Sequence, residues 1–471
     1  MRRVREWVTP QRLAMLGIAV VAVALRWWFV GFVSGDFQTF LSRWWTYLAT
    51  HGHLAGLADD SFSNYNTPYL VLLALATYLP VRAIVAIKAI SIAGDLVLAW
   101  VASRIVATVR PGSAWAPVAG FGVVLFLPTV VMNSGVWAQC DSLYAAACLA
   151  CMLFLMKGRP RAASAWFGVA FAFKLQAVFL LPVLIGVVAV NRHRWRTLLA
   201  APATFLACLV PALLAGRSLV SQLMVYPLQV TDSSGTGGTV GGGGTRGGGA
   251  GGLPGGGPGG QPSGGPGAPP SAGAGGPLPS GGAGGGAGGP GGPGGGSGGP
   301  GGGSSGFTLN VGQSFTHNAP TPYAWLPADA SVAWKYAGPA LTAAVVIGFG
   351  AWLLARQRRL TASQVLLVAA CCALVVPLLL PEMHERYFYL AEVLLVLAAF
   401  VEWRFALPAL GIQLASTSTY LAYLLDTHVV PLAAAAAVAA ASGLAAVALL
   451  VLALRDRDVH HKVDASAANS P

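Results

Sequence analysis

The residues with the most chemical capacity fall in short polar clusters between apolar runs. PEMHERYF sets His384, Glu385 and Arg386 in consecutive positions, where a plain turn needs none of them. They offer a titratable ring, a carboxylate and a guanidinium that can grip two oxygens at once. Asp36 directly follows the first apolar run. Asn64, Tyr65 and Asn66 lie in SNYNTPYL, Gln139 and Asp141 in WAQCDSLY, Lys174 and Gln176 in AFKLQAVF, and His317 and Asn318 in FTHNAP. A carboxylate within reach of a hydroxyl can take its proton. Arg and Lys can stabilise charge developing on a leaving oxygen. Plainer readings stand beside these. Gln139 and Asp141 also suit a helix N-cap, Lys174 a side chain reaching out from a helix end, and His317-Asn318 an ordinary turn.

The elements that carry these clusters belong to a membrane protein. The chain has 471 residues, 55% hydrophobic and 9% charged, against about 25% charged in soluble domains. Apolar runs of bilayer-crossing length recur along it. The formal charge of +12 comes from short Lys and Arg clusters between those runs. That is the pattern of cytoplasmic loops and not of a basic, aromatic-laced nucleic-acid face, so no nucleic-acid partner is expected. The six cysteines lie in or beside apolar runs. Cys148 and Cys151 form a CxxC without the second pair or the His that a zinc site requires, so they read as small packing residues.

The expected fold is all-α and polytopic, with about 12 transmembrane helices and a helical first outer loop. Residues 1–34 hold a cytoplasmic N-terminus and a retained first helix, 12–34. The run is too long for a signal-peptide core and has no small-residue cleavage site. Residues 35–83 form an outer loop with interfacial helices, since 35–55 is amphipathic and Trp-rich and the apolar run 69–79 is short for a span. Helices 2–7 occupy 84–215, at about 84–107, 114–132, 141–156, 161–173, 175–190 and 197–215. Residues 216–332 are a second outer loop. Helices 8–12 occupy 333–454, at 333–355, 361–380, 387–402, 405–424 and 430–454, and 455–471 is a cytoplasmic tail. This arrangement puts 19 of the 28 basic residues inside. A spanning 69–79 would put KGRPR and RHRWR outside, against the positive-inside rule.

Residues 235–306 hold 41 of the 61 glycines. Such a tract has too little apolar surface to offset the entropy of ordering, and a flexible loop is expected there. Its GxGxxG matches follow no strand and do not read as a nucleotide site. The topology gathers Asp36, Asn64–Asn66, Gln139, Asp141, Lys174, Gln176, His317, Asn318, Glu382, His384, Glu385 and Arg386 at one membrane face. Ionisable groups at membrane depth are costly and usually functional. Lys88 and Asp95 lie seven apart on one helical face, and Asp95 and Glu392 read as polar contacts inside the helix bundle.

Taken in order, Asp36 after helix 1, then NYNTPYL, WAQCDSLYAA, AFKLQAVFLLP, HNAP and MHERYFYL resemble the GT-C superfamily of membrane glycosyltransferases. The likeness covers about residues 34–402 outside the glycine tract, and KLQ and HERYF are its more specific pieces. It is nearest to the polyprenyl-phosphate-sugar-dependent branch, which holds the N-glycan precursor glucosyltransferases and is related to the GPI mannosyltransferases. The resemblance implies inverting transfer, mannosyl or glucosyl, from a polyprenyl-phosphate-linked donor to a glycan, glycolipid or protein acceptor. It places the site on the extracytoplasmic side of the cell membrane. It implies Asp36 as the base and Lys174, His384 and Arg386 around the donor phosphate. Asn64, Tyr65, Gln139, Asp141, Gln176, Asn318 and Glu385 are then candidates for sugar or acceptor, with Trp44, Trp45 and Tyr65 serving equally well as stacking surfaces or interface anchors. No metal and no cofactor are expected, because side chains supply the cations. Three positions depart from the pattern. Tyr65-Asn66-Thr67-Pro68 stands where relatives carry YPP, Ala138 where Gly is expected, and Glu382 where His or Lys is common. The alternative reading is a secondary transporter or a lipid or sugar flippase. Transporters, however, place their charges near the midplane on broken helices, not at one rim.

Overall fold

The computed structural model describes residues 9–233, 315–327, 329–356 and 359–467. These belong to one unit, Met1–Gly237 with Asn310–Pro471. The glycine tract and the flexibility expected of it lie outside the described residues.

Helix α1 is Pro10–Trp28, shorter than the 12–34 expected, and opens on a Thr9 cap. Turns then lead to Asp36. The first loop is helical as expected: a π turn at Phe37–Leu41, α2 at Ser42–Thr50, a 3-10 turn at Ala55–Ala58 and α3 at Thr67–Ala76. There follow α4 (Ala83–Val109), α5 (Ala116–Phe126) and the single turn α6 (Pro128–Val131) running into a π turn at Met132–Trp137. Next are α7 (Asp141–Met156), α8 (Pro160–Phe173), α9 (Leu181–Val190), α10 (Ala200–Ala215) and α11 (Leu219–Ser233). Beyond the glycine tract come α12 (Ala333–Ala355), α13 (Ala362–Leu379), α14 (Tyr389–Ala399), α15 (Ala406–Leu425) and α16 (Leu432–Ala467).

Among the described residues, six helices are long and apolar enough to cross a membrane, or seven if the bent pair at Leu127 counts as one span. That supports a polytopic helical membrane protein, with fewer qualifying spans than the twelve expected. The other segments fall short for visible reasons. Asp141–Met156 and Leu175–Val190 are apolar but short. Ala406–Leu425 is long but carries Gln413, Ser416, Thr417, Ser418 and Thr419. Helix α11 departs from the outer loop expected over 216–332. Its apolar pattern buries Val225 and Tyr226. The fold also departs from all-α at one point, where β1 (Thr316–His317) pairs in parallel with β2 (Met383–His384).

The expected third helix breaks in the middle, and the break positions the site. Pro128 pushes Leu127 to an extended conformation, ψ 128°, and the two halves meet at 57°. A broken helix in an apolar interior leaves carbonyls without donors. Arg26, 1% exposed, meets that need: its guanidinium donates to the Leu125 carbonyl at 2.8 Å and to the Ala22 carbonyl at 3.0 Å. Its Nε donates to Asp95 at 2.7 Å and to the Ser134 hydroxyl at 3.0 Å. Lys88 donates to the Phe29 and Phe32 carbonyls, both at 2.7 Å, and so closes the end of α1. Asp95 is thus an interior contact, as expected. Glu392 is another: it accepts from Thr129, which in turn accepts from Gln413 at 2.8 Å. The cysteines are free, and four of the six are buried.

Removing one partner of a buried ion pair typically costs about 3–5 kcal/mol. Asp95→Ala should therefore lower stability by roughly that amount in thermal unfolding of the detergent-solubilised protein. Arg26→Met with Asp95→Leu should recover part of the loss, because no unpaired charge remains. It should still fall short of the parent, because the Leu125 carbonyl loses its donor.

Candidate functional site

Asp36 is the meeting point of four chain segments. Its Oδ2 accepts from the indole of Trp137 at 3.0 Å, the Gln139 amide at 2.6 Å and Arg386 Nη1 at 3.1 Å. Its Oδ1 accepts from the Tyr423 hydroxyl at 2.6 Å. The Arg386 guanidinium lies over the Trp137 ring, 5.2 Å from its centroid. Trp137 also packs on Tyr420 and Tyr423, with ring centroids 5.1 and 4.7 Å away. The Asp36 end of α1 is tied to the broken helix by Ser34, whose hydroxyl donates to the Trp137 carbonyl at 2.8 Å.

A left-handed residue delivers Gln139 to Asp36. Ala138 has φ 68° and ψ 30°, a conformation that glycine takes freely and alanine only against its Cβ. This is the position where the resemblance leads one to expect Gly. The strain is held in place by the fold: Ala138 and Trp137 are both fully buried.

A second knot adjoins the first. Asp141 opens α7, where the helix N-terminus favours an acid. One of its oxygens takes the Lys174 ammonium and the other takes the Asn133 amide at 2.8 Å. The structure thus pairs Lys174 with Asp141, two residues expected to serve phosphate and sugar separately. Lys174 ends α8 in an extended conformation, ψ 139°, which turns it inward and leaves it 7% exposed. Gln176, two residues on, reaches the Tyr387 side chain.

The HERYF segment is held by the short β pairing. His317 stands opposite His384, with stacked rings 4.7 Å apart. Glu382, at φ 59°, donates its backbone N–H to the Phe315 carbonyl at 2.8 Å and accepts from Lys335 at 2.5 Å. Asn318, also left-handed at φ 58°, uses its amide on the Thr419 carbonyl at 2.9 Å. That contact fixes the loop. His384 is held well below the usual histidine range, mainly by burial, with Arg386, His317 and Lys174 adding to the effect. It is therefore neutral near pH 7 and can still donate one N–H.

Asp36, Asp141, Lys174, His317, His384, Glu385 and Arg386 thus act within one electrostatic cluster. Tyr65 borders it: its hydroxyl meets the Cys140 sulfur at 3.1 Å, and its ring packs on Trp44 and Tyr69. Asn64 stands apart. Its side chain is exposed, and only its carbonyl is engaged, by Gln229 at 2.6 Å. The neighbour Asn66 is the buried one. Sequence reasoning passed over Trp137, Asn133 and Tyr423. Trp137 is the first residue of WAQCDSLY and Asn133 lies four residues before it. Tyr423 sits near the end of α15, past its Gln413–Thr419 polar stretch, and no charged residue within that helix marks it.

Among the comparisons with known proteins, residues 62–236 match the family model of glycosyltransferase family 87, a membrane glycosyltransferase family. The match covers a little over a third of the chain. It includes the Gln139, Asp141, Lys174 and Gln176 segments and ends before HERYF. No curated protein matches the chain. The family match gives no support to the transporter or flippase alternative.

Glu385 carries a checkable pH signature. Burial pushes its carboxyl up to about 7, with the Arg386 guanidinium pulling the other way. In the unfolded chain the group titrates near 4.5. Between those values the folded state keeps a proton that the unfolded state has released, so stability falls as pH rises through that window. Glu385→Gln should flatten this slope and leave the protein more stable than the parent above pH 7. Denaturation midpoints measured across pH would check both.

Proposed function

We propose that this protein is an inverting glycosyltransferase of the cell membrane. It moves a mannosyl or glucosyl unit from a polyprenyl-phosphate-linked donor to a glycan, glycolipid or protein acceptor on the extracytoplasmic side. Asp36 is the general base. The observation that carries this reading is the asymmetry of its carboxylate. A carboxylate offers about four lone-pair positions. Oδ2 takes three donors and Oδ1 takes only the Tyr423 hydroxyl. Oδ1 therefore keeps the capacity to accept an acceptor hydroxyl, on a group whose orientation four partners hold.

In the proposed reaction the acceptor hydroxyl gives its proton to Asp36 as its oxygen attacks the anomeric carbon. The new carbon–oxygen bond forms as the bond to the phosphate oxygen breaks, and the electron pair leaves with the polyprenyl phosphate. One displacement inverts the anomeric centre, and the phosphate leaves without needing a proton. Arg386 faces the leaving charge. It gives one N–H to Asp36, and its Nε has no partner. The same side chain thus links base and leaving group, which suits a site organised for the transition state. Lys174 and the neutral His384 supply further donors. Gln139, Asp141, Gln176, Glu385, Tyr65 and Asn64 are the proposed sugar and acceptor contacts, and Asn318 supports the loop that carries them. The match to glycosyltransferase family 87 supports the reaction class.

The test is transfer from a panel of radiolabelled polyprenyl-phosphate sugars by the reconstituted protein. Asp36→Asn should lower turnover by about 10²–10⁴-fold, the usual contribution of a general base, while the variant's unfolding temperature stays near that of the parent. Undiminished turnover in the variant would remove Asp36 from the chemistry. A parent protein inert with every donor would sink the proposed donor class.

A further inference from the structure

A second polar cluster lies beyond Tyr65, on residues that the reaction above does not use. It is built between the loop following α2 and the chain from Arg217 into α11. Asp59 accepts from the Tyr47 hydroxyl at 2.6 Å and from the backbone and hydroxyl of Ser61, both at 2.8 Å. The Tyr47 ring is stacked on Phe62, with centroids 4.6 Å apart, and on His51 at 4.0 Å. Behind the two acids lies Arg217, 3% exposed, in the field of Asp60 and Asp59. It reaches that place because Gly216 turns the chain at φ 112° hard against Ala58, where a Cβ would already be in contact at 3.5 Å.

Three buried side chains in this wall keep polar atoms without partners. They are Nη1 of Arg217, Nε2 of Gln222 and Oγ of Ser63. Gln222 is 4% exposed and is anchored through its other atom, which accepts from Thr67 at 2.6 Å. Unsatisfied buried polar groups each cost about 1–3 kcal/mol, and native folds keep few of them without a reason. The Arg217 and Gln222 atoms are donors, Arg217 lies in the field of both carboxylates, and Ser63 adjoins Phe62, the outer ring of the stack on Tyr47. Carboxylates accept from sugar hydroxyls, guanidinium and amide groups donate to sugar oxygens, and aromatic faces suit the apolar face of a sugar ring.

The charge of the cluster selects which sugar. Two acids against one buried Arg leave the rim negative, so a phosphate is disfavoured there. The cations that suit a phosphate, Arg386 and Lys174, belong to the neighbouring cluster. Tyr65 joins the two, three residues after Phe62 and in contact with Cys140 beside Asp141.

We propose that Asp59, Asp60 and Arg217, with the Tyr47–Phe62–His51 rings, form a subsite for a neutral sugar unit of the acceptor, next to the unit that reacts. This rests on the glycosyltransferase reading and adds the acceptor's chemical class to it: a glycan with at least two uncharged sugar units.

The test uses the full chain in nanodiscs, with mannotriose, maltotriose and galactotriose as probes. Saturation-transfer NMR reads binding. Release of polyprenyl phosphate to water from the active donor reads the donor site without an acceptor. At least one triose should show transfer to its ring protons, and that signal should be lost in Asp60→Asn and in Phe62→Ala. Donor hydrolysis should stay within about twofold of the parent in both variants, which also reports that they fold. With the bound triose as acceptor, KM should rise at least about tenfold and kcat should hold. The proposal is overturned if no triose binds the parent, if binding survives both substitutions, or if a Ser/Thr-rich peptide gives the saturation transfer instead. Failure of donor turnover with intact triose binding would count against the proposed reaction and leave the subsite standing.

Discussion

A single guanidinium buried in an apolar interior sets the geometry of the Asp36 end of this protein. Arg26 remains charged there only because each of its three nitrogens finds an acceptor, since an unpaired buried charge would cost several kcal/mol. It finds acceptors on three elements: the Asp95 carboxylate, the Ser134 hydroxyl and the carbonyl freed where Pro128 breaks the helix. The break and the charge satisfy one another. Neither would be stable alone in a medium that offers no water.

The consequences run outward from that contact. The bent half of the helix ends at Trp137 and the left-handed Ala138, which present an indole and an amide to Asp36. Lys88 holds the Phe29 and Phe32 carbonyls just past the end of α1, so the chain reaches Asp36, seven residues after Phe29, with little freedom. Arg386 and Tyr423 approach from the far end of the sequence. A carboxylate whose position is determined by four donors would cost little to reorganise if it serves as the proposed base, which is the property that electrostatic catalysis requires.

The site divides by charge. Cationic groups gather around Asp36, where a phosphate would leave. The loop of Asp59 and Asp60 is acidic and aromatic, suited to a neutral polyhydroxyl chain. Two clusters of opposite character share one border, at Tyr65, which under the proposed reaction would give donor and acceptor separate places to bind.

Much of this was legible in the residues themselves. Composition and run length identify a helical membrane protein, because few charges cannot cover a wetted surface. HERYF, KLQ and WAQCD stand out, since polar residues beside apolar runs are too costly to be incidental. Helix limits at Asp141–Met156 and Ala333–Ala355 matched the expectation because length, caps and composition are local properties. Contacts at large sequence separation were not legible. That Arg26 pairs with Asp95, that Lys174 answers Asp141, and that Tyr423 lies 387 positions from the carboxylate it serves are outcomes of packing. No periodicity records which helix becomes whose neighbour. Residues 219–233 went unread for the same reason, as their apolar face acquires meaning only against the wall it covers. Local sequence determined which segments could be helices and which side chains were worth their cost. The tertiary structure alone decided which of them share a hydrogen bond, because that depends on how the helices meet in three dimensions.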